Sequence, residues 1–467
     1  MLKHIALSAF LALSLRADVR VEERTVHLGP IAPGQSPYVY VPFDVPANSQ
    51  EIVLRLDYDH AGGDNVVDYL VFDSSFSGRD DDMTGFRGRN PNRLPLISVI
   101  GRDSASTGNL PGPLLPGVWR VMFYVYKAPV GVDVHLSISI SSEAAGVAES
   151  GPREPGPSES GPRWMHGDLH MHTLHSDGTW TVTMLAAAAQ RAGLDFIAIT
   201  DHNTSAHHAE IDRFPKGEPL LIRGTEITTY DGHMNAWGIP SGRVFEHRQL
   251  PGQDDQIQKL IAAVHATGGL ISVNHPYATC KACEWGFSKQ VENFDGMEVW
   301  NNSWSVEDES SLKLWDSILR QGHHIALIGS SDSHGPDVPI GEPTISVYAD
   351  EVSVAGVLNA IHRGRTVVTS TPAGKIRLEA GPFKPGDTIT TTVGSSVNIQ
   401  LSLDGFGAAG EAILISQSGE VKRWKFGAGP WKQEVVVPAQ TGYLRLEARD
   451  ENSSMLGLTN PIWIETR

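Results

Sequence analysis

Apolar and polar positions change rhythm along the chain. Between residues 18 and 140 short apolar runs are strand-like: Val132, Val134, Leu136, Ile138 and Ile140 alternate with period two and fall on one face, and Val39-Tyr40-Val41, Ile52–Leu56 and Trp119–Tyr126 are further apolar runs of strand length. Gly and Pro clusters separate these runs, so several short strands predict an N-terminal β-sandwich. Residues 141–163 carry Gly-Pro pairs at 151–152, 156–157 and 161–162 among Ser and Glu, the composition of a linker. From 164 to 372 short apolar runs alternate with helical patterns. The strands predicted are Asp168–His172, Phe196–Thr200, Leu220–Glu226, Met234–Gly238, Leu270–Asn274, Gly296–Trp300 and Ile325–Ser330. Thr181–Ala192, closed by Gly193, and Gln256–Ala266 read as helices. Such alternation predicts an α/β fold with a parallel sheet closing into a barrel, seven strands where about eight is usual. Residues 373–467 return to alternating strands, such as Val397–Leu403 and Tyr443–Ala448, and predict a C-terminal β-sandwich.

The first 17 residues have a different pattern. Lys3 precedes an apolar run, Ile5–Leu15, too short to span a bilayer. Residues 1–17 therefore read as a signal peptide, and the protein is expected to be exported to a periplasm or outside the cell. The cleavage site is imperfect at Leu15 and Ala17. No stretch reaches 18 consecutive apolar residues, so no integral membrane span is expected.

Length and charge narrow the function. The chain has 467 residues, enough for about three domains. Its 37 basic and 54 acidic residues leave a net charge of −17, which argues against nucleic acid as a partner. Two cysteines, Cys280 and Cys283, exclude a disulfide scaffold and a four-cysteine zinc site; after export they could form one local disulfide. The acid excess is local: residues 164–372 hold 25 acids against 13 bases, and 15 of the 19 histidines lie between His166 and His362. Acids and histidines gathered in one block suggest bound cations.

The strand ends carry these residues. The first strand gives His170-Met171-His172, then Ser176-Asp177-Gly178. The second ends in Thr200-Asp201-His202, the third in Gly224-Thr225-Glu226, and the fourth begins near His233. The fifth ends in Asn274-His275-Pro276 and the seventh in Asp332-Ser333-His334. In a parallel barrel all C-terminal strand ends share one face, so these side chains would converge. Imidazole and carboxylate without thiolate is the ligand set of hard or borderline divalent metals. Nine candidates exceed the needs of one ion and suit two or three, with Glu226 able to bridge. Such a pair would hold a water whose pKa falls toward about 7, giving a bridging hydroxide.

This set resembles the polymerase and histidinol phosphatase (PHP) superfamily, most closely its CehA/McbA-like branch. The likeness covers residues 164–372. It implies a distorted seven-stranded (β/α) barrel, flanked here by the two sandwiches, with up to three Zn, Mn or Fe ions. It further implies that His170, His172, Glu226 and Asp332 bind the first ion. Glu226, His233 and His275 would bind the second, and Asp177, His202 and His334 the third. Many relatives have His where Asp177 stands.

The expected activity is hydrolysis of a small-molecule phosphoester. Clustered cations suit a dianionic phosphate, with Asp332 as ligand and proton acceptor. Arg223 and Arg248 are candidate phosphate contacts, and Asp201 a residue that orients a ligand from behind. A carbamate or carboxylic ester is the alternative substrate, and a binding protein with a spent barrel the alternative class. The sandwiches could then attach to glycans or proteins. Other signals are set aside. Gly405–Gly410 matches GxGxxG but lies among strands with no following helix. His207-His208 and His323-His324 read as bystanders, and Asp80-Asp81-Asp82 as a solvated loop.

Overall fold

The computed structural model describes residues 19–32, 35–79, 83–90, 94–142, 160–214, 217, 219–249, 252–280, 283–287 and 291–467. The expected signal peptide, most of the expected linker and Asp80-Asp81-Asp82 lie outside them. The chain forms two compact units: residues 1–76 with 85–148, and residues 77–84 with 149–467.

The first unit holds two antiparallel four-stranded sheets. One runs Val19–Leu28, Val132–Ser141, Glu51–Tyr58, Leu96–Gly101; the other runs Tyr38–Val45, Gly117–Lys127, Val66–Phe72, Phe86–Arg89. Alternate residues of Val132–Ser141 are buried, as period-two patterning requires. Side chains from both sheets, among them Leu54, Leu136, Trp119 and Phe123, form one apolar core.

In the second unit the seven expected strands are present with shifted limits: Ser160–Asp168, Phe196–Ile199, Leu220–Thr229, Gly232–Trp237, Leu270–Val273, Gly296–Asn301 and Ala326–Ser330. They lie consecutively in one sheet. The first strand starts inside the expected linker, so residues 160–163 are strand. The helices follow their sequence signals. Thr181 caps Val182–Ala192 by accepting from Met184 N, and Gly193 closes it at φ 72°. Ser305 and Asp308 form a capping box on Val306–Arg320.

Two expectations require correction. The sheet is not wholly parallel. Strands one to three run parallel, as do five to seven, but the fourth is antiparallel to the third and to the fifth. Only Tyr230-Asp231 separates the third and fourth strands, and a two-residue turn reverses the chain. Nor does the pairing describe a closed seven-stranded barrel. From the first strand the sheet continues through Thr344–Glu351 and Thr366–Thr369 into Met455–Thr459, Gly442–Asp450, Gly410–Ser416 and Gly419–Phe426, in an arrangement of 15 strands.

The C-terminal strands therefore extend the sheet that carries the candidate site and belong to the second compact unit. They still have a core of their own. A three-stranded sheet of Lys375–Glu379, Ser396–Asp404 and Trp431–Pro438 contributes Leu378, Ile399 and Leu401, which pack with Leu414, Leu446 and Ile464 of the larger sheet. Among the described residues no helix is long and apolar enough to cross a membrane.

Candidate metal centre

The antiparallel fourth strand explains why His233 belongs with the strand ends. A parallel fourth strand would place its start on the opposite face. The hairpin register instead sets His233 opposite Thr228 and Asn235 opposite Glu226, so Glu226 and His233 share a face.

His170 and His172 follow the first strand rather than ending it. Met171 forms a parallel bridge with Ser333, and His172 N donates to Ser333 O at 3.0 Å, which brings this segment beside Asp332 and His334. Gly178 is required for close approach: a Cβ there would lie 2.1 Å from the His172 carbonyl oxygen. Both His275 (φ 24°) and Asp332 (φ 52°) have left-handed backbones, which cost about 1–3 kcal/mol each and re-aim the side chain.

All nine candidate ligands come together. Four groups have donor atoms within 4.8 Å of one another: His170, His172 and Asp332; His170, Glu226 and His275; His202, Glu226 and His233; and His172, Asp177, His202 and His334. Glu226 sits at the centre, 1% exposed. Its Oε2 lies 3.2 Å from His170 Nε2, 3.3 Å from His172 Nε2 and 2.9 Å from His202 Nδ1. Its Oε1 lies 3.1 Å from His233 Nδ1 and 3.3 Å from His275 Nε2, and accepts from Asn274 Nδ2 at 2.9 Å. Asp332 Oδ1 is 3.3 Å from His170 Nε2 and 3.1 Å from His172 Nε2. At the outer edge Asp177 reaches His334 Nε2 at 3.3 Å and His202 Nε2 at 3.6 Å.

The donor atoms fit a cation. His170 Nε2, His172 Nε2, Glu226 Oε2 and Asp332 Oδ1 are buried without a hydrogen-bond partner, yet they face one another. Leaving such atoms unpaired costs about 1–3 kcal/mol each. Separations of 3.1–3.3 Å suit atoms sharing an ion at bonds of about 2.0–2.2 Å.

The titration of these groups reflects the same crowding. Burial disfavours the charged form of His170, but Asp332, Glu226 and Glu298 outweigh it and raise the pKa well above the ordinary value. Burial and the neighbouring His334 and His202 push His172 down to about 4. His334 rises to about 9: burial opposes this, and Asp177 and Asp332 overcome it. Burial favours neutral carboxyls at Glu226 and Asp332, yet the histidines hold both well below the usual carboxylate range.

Around these groups lies a supporting layer. The Asp201 carboxylate is bonded to none of the nine candidate ligands; it accepts from Thr173 N and Thr173 Oγ1, both at 2.6 Å, and from Ser176 Oγ at 2.7 Å. Ser176 Oγ in turn lies 3.4 Å from His172 Nδ1. His207, read from sequence as a bystander, is buried with Nδ1 3.0 Å from Asp201 Oδ2. Sequence reasoning passed over Glu298, whose Oε1 lies 3.2 Å from His170 Nδ1. The available signal was a lone carboxylate in the buried strand Gly296–Asn301.

Other expected participants point elsewhere. Arg223 donates to Asp212 Oδ1 at 2.6 Å and to Ile239 O at 3.0 Å. Arg248 pairs with Glu246. Of the histidines outside the candidate set, His166 meets Ser346 Oγ, His175 meets Glu210, and His324, read as a bystander, stacks on Trp463. Cys280 and Cys283 are joined in a disulfide, five residues beyond His275 at the nearer cysteine.

No family model matches the chain. An uncharacterized protein of Methanocaldococcus jannaschii is 29% identical over 151 residues, which cover 29% of this chain and 82% of that protein. Among solved structures, a two-domain Bacteroides vulgatus protein containing a predicted PHP-like metal-dependent phosphoesterase is 18% identical, with 67% of this chain and 100% of that one covered, at a TM-score of 0.38. An amidohydrolase of Chromobacterium violaceum is 18% identical, with 37% of this chain and 89% of that one covered, at a TM-score of 0.27. At these values the site's own geometry carries the functional reading.

Proposed function

We propose that this chain is a metal-dependent hydrolase of phosphoesters of the PHP type, with its site on the mixed sheet described above and using two or three divalent ions (Zn, Mn or Fe). One observation carries the reading: the buried, unpartnered Nε2 atoms of His170 and His172 each lie 3.1–3.3 Å from Glu226 Oε2 and from Asp332 Oδ1, which are unpartnered too. Hydrogen bonding within the protein leaves them unsatisfied, and a cation would satisfy all four.

His170, His172, Glu226 and Asp332 would hold the first ion, Glu226, His233 and His275 the second, and Asp177, His202 and His334 the third. His172 also lies within reach of the third group. When bound, such ions acidify water and neutralise phosphoryl oxygens. The protein residues divide the remaining work. Glu226 and the two buried histidines of the first motif form the floor. Asp177 and His334 are half-exposed, which makes theirs the side open to substrate. Asp332 is the candidate proton acceptor, because its carboxylate is partly exposed beside the histidines of the first ion position. With Arg223 and Arg248 engaged by Asp212 and Glu246, recognition of phosphate charge falls to the ions. The apolar run within residues 1–17 and the Cys280–Cys283 disulfide favour an exported protein.

The test is turnover by metal-loaded protein on phosphomonoester, phosphodiester and carbamate ester panels. Phosphoester hydrolysis that disappears in Asp332→Asn is expected. Inert protein on every panel with Mn²⁺, Zn²⁺ and Fe²⁺ would overturn the hydrolase reading, and turnover of carbamates alone would replace the substrate class.

A further inference from the structure

The sixth strand, Gly296–Asn301, lies between the fifth and seventh strands, after which come His275 and Asp332. Its Glu298 is 1% exposed, between the buried Met297 and Val299. A carboxylate buried there is costly unless its oxygens are fully used. Oε1 lies 3.2 Å from His170 Nδ1. Oε2 accepts from the backbone N–H of His275 at 3.0 Å and from Asn301 Nδ2 at 3.1 Å. Asn301 Nδ2 also lies 3.4 Å from Asp332 Oδ2. One carboxylate thus reaches three candidate ligands, directly or through a single side chain. Two of these, His275 and Asp332, have the left-handed backbones that need external support.

We infer that Glu298 is a positioning residue that fixes the His170 tautomer and ties the first ion position to the second. A proton on His170 Nδ1, shared with Glu298, leaves Nε2 as the lone-pair donor facing Glu226 and Asp332. The backbone contact to His275 makes the orientation of that ligand depend on the same carboxylate. This inference rests on the metal-centre reading above.

The experiment is Zn²⁺ titration of metal-stripped wild-type and Glu298→Gln protein by calorimetry, with ¹⁵N-histidine spectra of the zinc-loaded forms and circular dichroism as the folding control. Gln presents an N–H₂ group and disrupts either the His170 or the His275 contact. The expected result is affinity weaker by about 10–100-fold and loss of one hydrogen-bonded Nδ1–H signal seen in wild type. Unchanged affinity with an unchanged spectrum would overturn the role of Glu298 while leaving the metal centre standing. A wild-type protein that binds no Zn²⁺ would overturn both. If Glu298→Gln does not fold, Asn301→Ala takes its place: it removes only the link from Glu298 to Asp332, a several-fold loss of affinity is expected, and wild-type affinity would count against the inference.

Discussion

Glu226→Gln is the most informative single substitution. It keeps the shape of the side chain and removes one charge from a group that faces five imidazoles at 2.9–3.3 Å. Glu226 belongs to two of the four ligand groups, so its loss reaches two ion positions at once. A unit charge about 4 Å from a dication contributes roughly 8 kcal/mol at an effective permittivity of ~20. Burial of the carboxylate offsets several kcal/mol of that. A net loss of about 3–4 kcal/mol corresponds to two or three orders of magnitude in Kd. Calorimetric titration of metal-stripped protein, with elemental analysis after dialysis, measures the effect. The expected outcome is a fall in stoichiometry of more than one ion together with that loss of affinity. A Glu226→Gln protein with wild-type stoichiometry and Kd would refute the bridging role and the geometry it rests on.

Asp177 is the only carboxylate in the outer group of His172, Asp177, His202 and His334. Asp177→Asn should therefore lower the metal content by about one ion and leave the inner positions filled, as elemental analysis would show. Gly178→Ala places a methyl carbon 2.1 Å from the His172 carbonyl; a loss of about 1–3 kcal/mol in stability and impaired metal retention should both appear, and a normal thermal midpoint would contradict the need for glycine. Asp308 provides a pH test away from the ligands. Burial raises its pKa to about 6 against the hydrogen bonds from Asn301 N and Ser305. Its folded value lies above its unfolded one, so the folded state binds the proton more tightly and stability falls as pH rises from about 4 to 6. Relative to Asp308→Asn, wild type should lose up to about 3 kcal/mol across that window, read from denaturant melts at each pH; a constant gap would refute it.

The candidate ligands stand out in the sequence because most of them lie at or just beyond the end of an apolar run. His170 and His172 precede Asp177-Gly178, and His275 precedes Pro276, so pattern and chemistry coincide. The capped helix Val182–Ala192 was legible for a similar local reason: Thr181 and Gly193 mark its ends. What was missed depends on distant pairing. The reversal of the fourth strand follows from a two-residue turn at Tyr230-Asp231, where the Asp231-Gly232 pair marks a turn without fixing the direction of the strand that follows. The junction of Thr366–Thr369 with Met455–Thr459 joins segments nearly 90 residues apart, and local patterning cannot express it. Glu298 does not stand out because its partners His170 and His275 come from the first and fifth strand regions and its immediate neighbours are apolar. Arg223 and Arg248 suit phosphate by charge alone, but Asp212 and Glu246 use that charge locally.

The central claim is that buried imidazoles and carboxylates gather to hold several dications. Elemental analysis of protein purified without chelator, loaded with Mn²⁺, Zn²⁺ or Fe²⁺ and dialysed, tests it most directly. Two or more ions per chain are predicted. A content below one ion per chain with every metal would contradict the account.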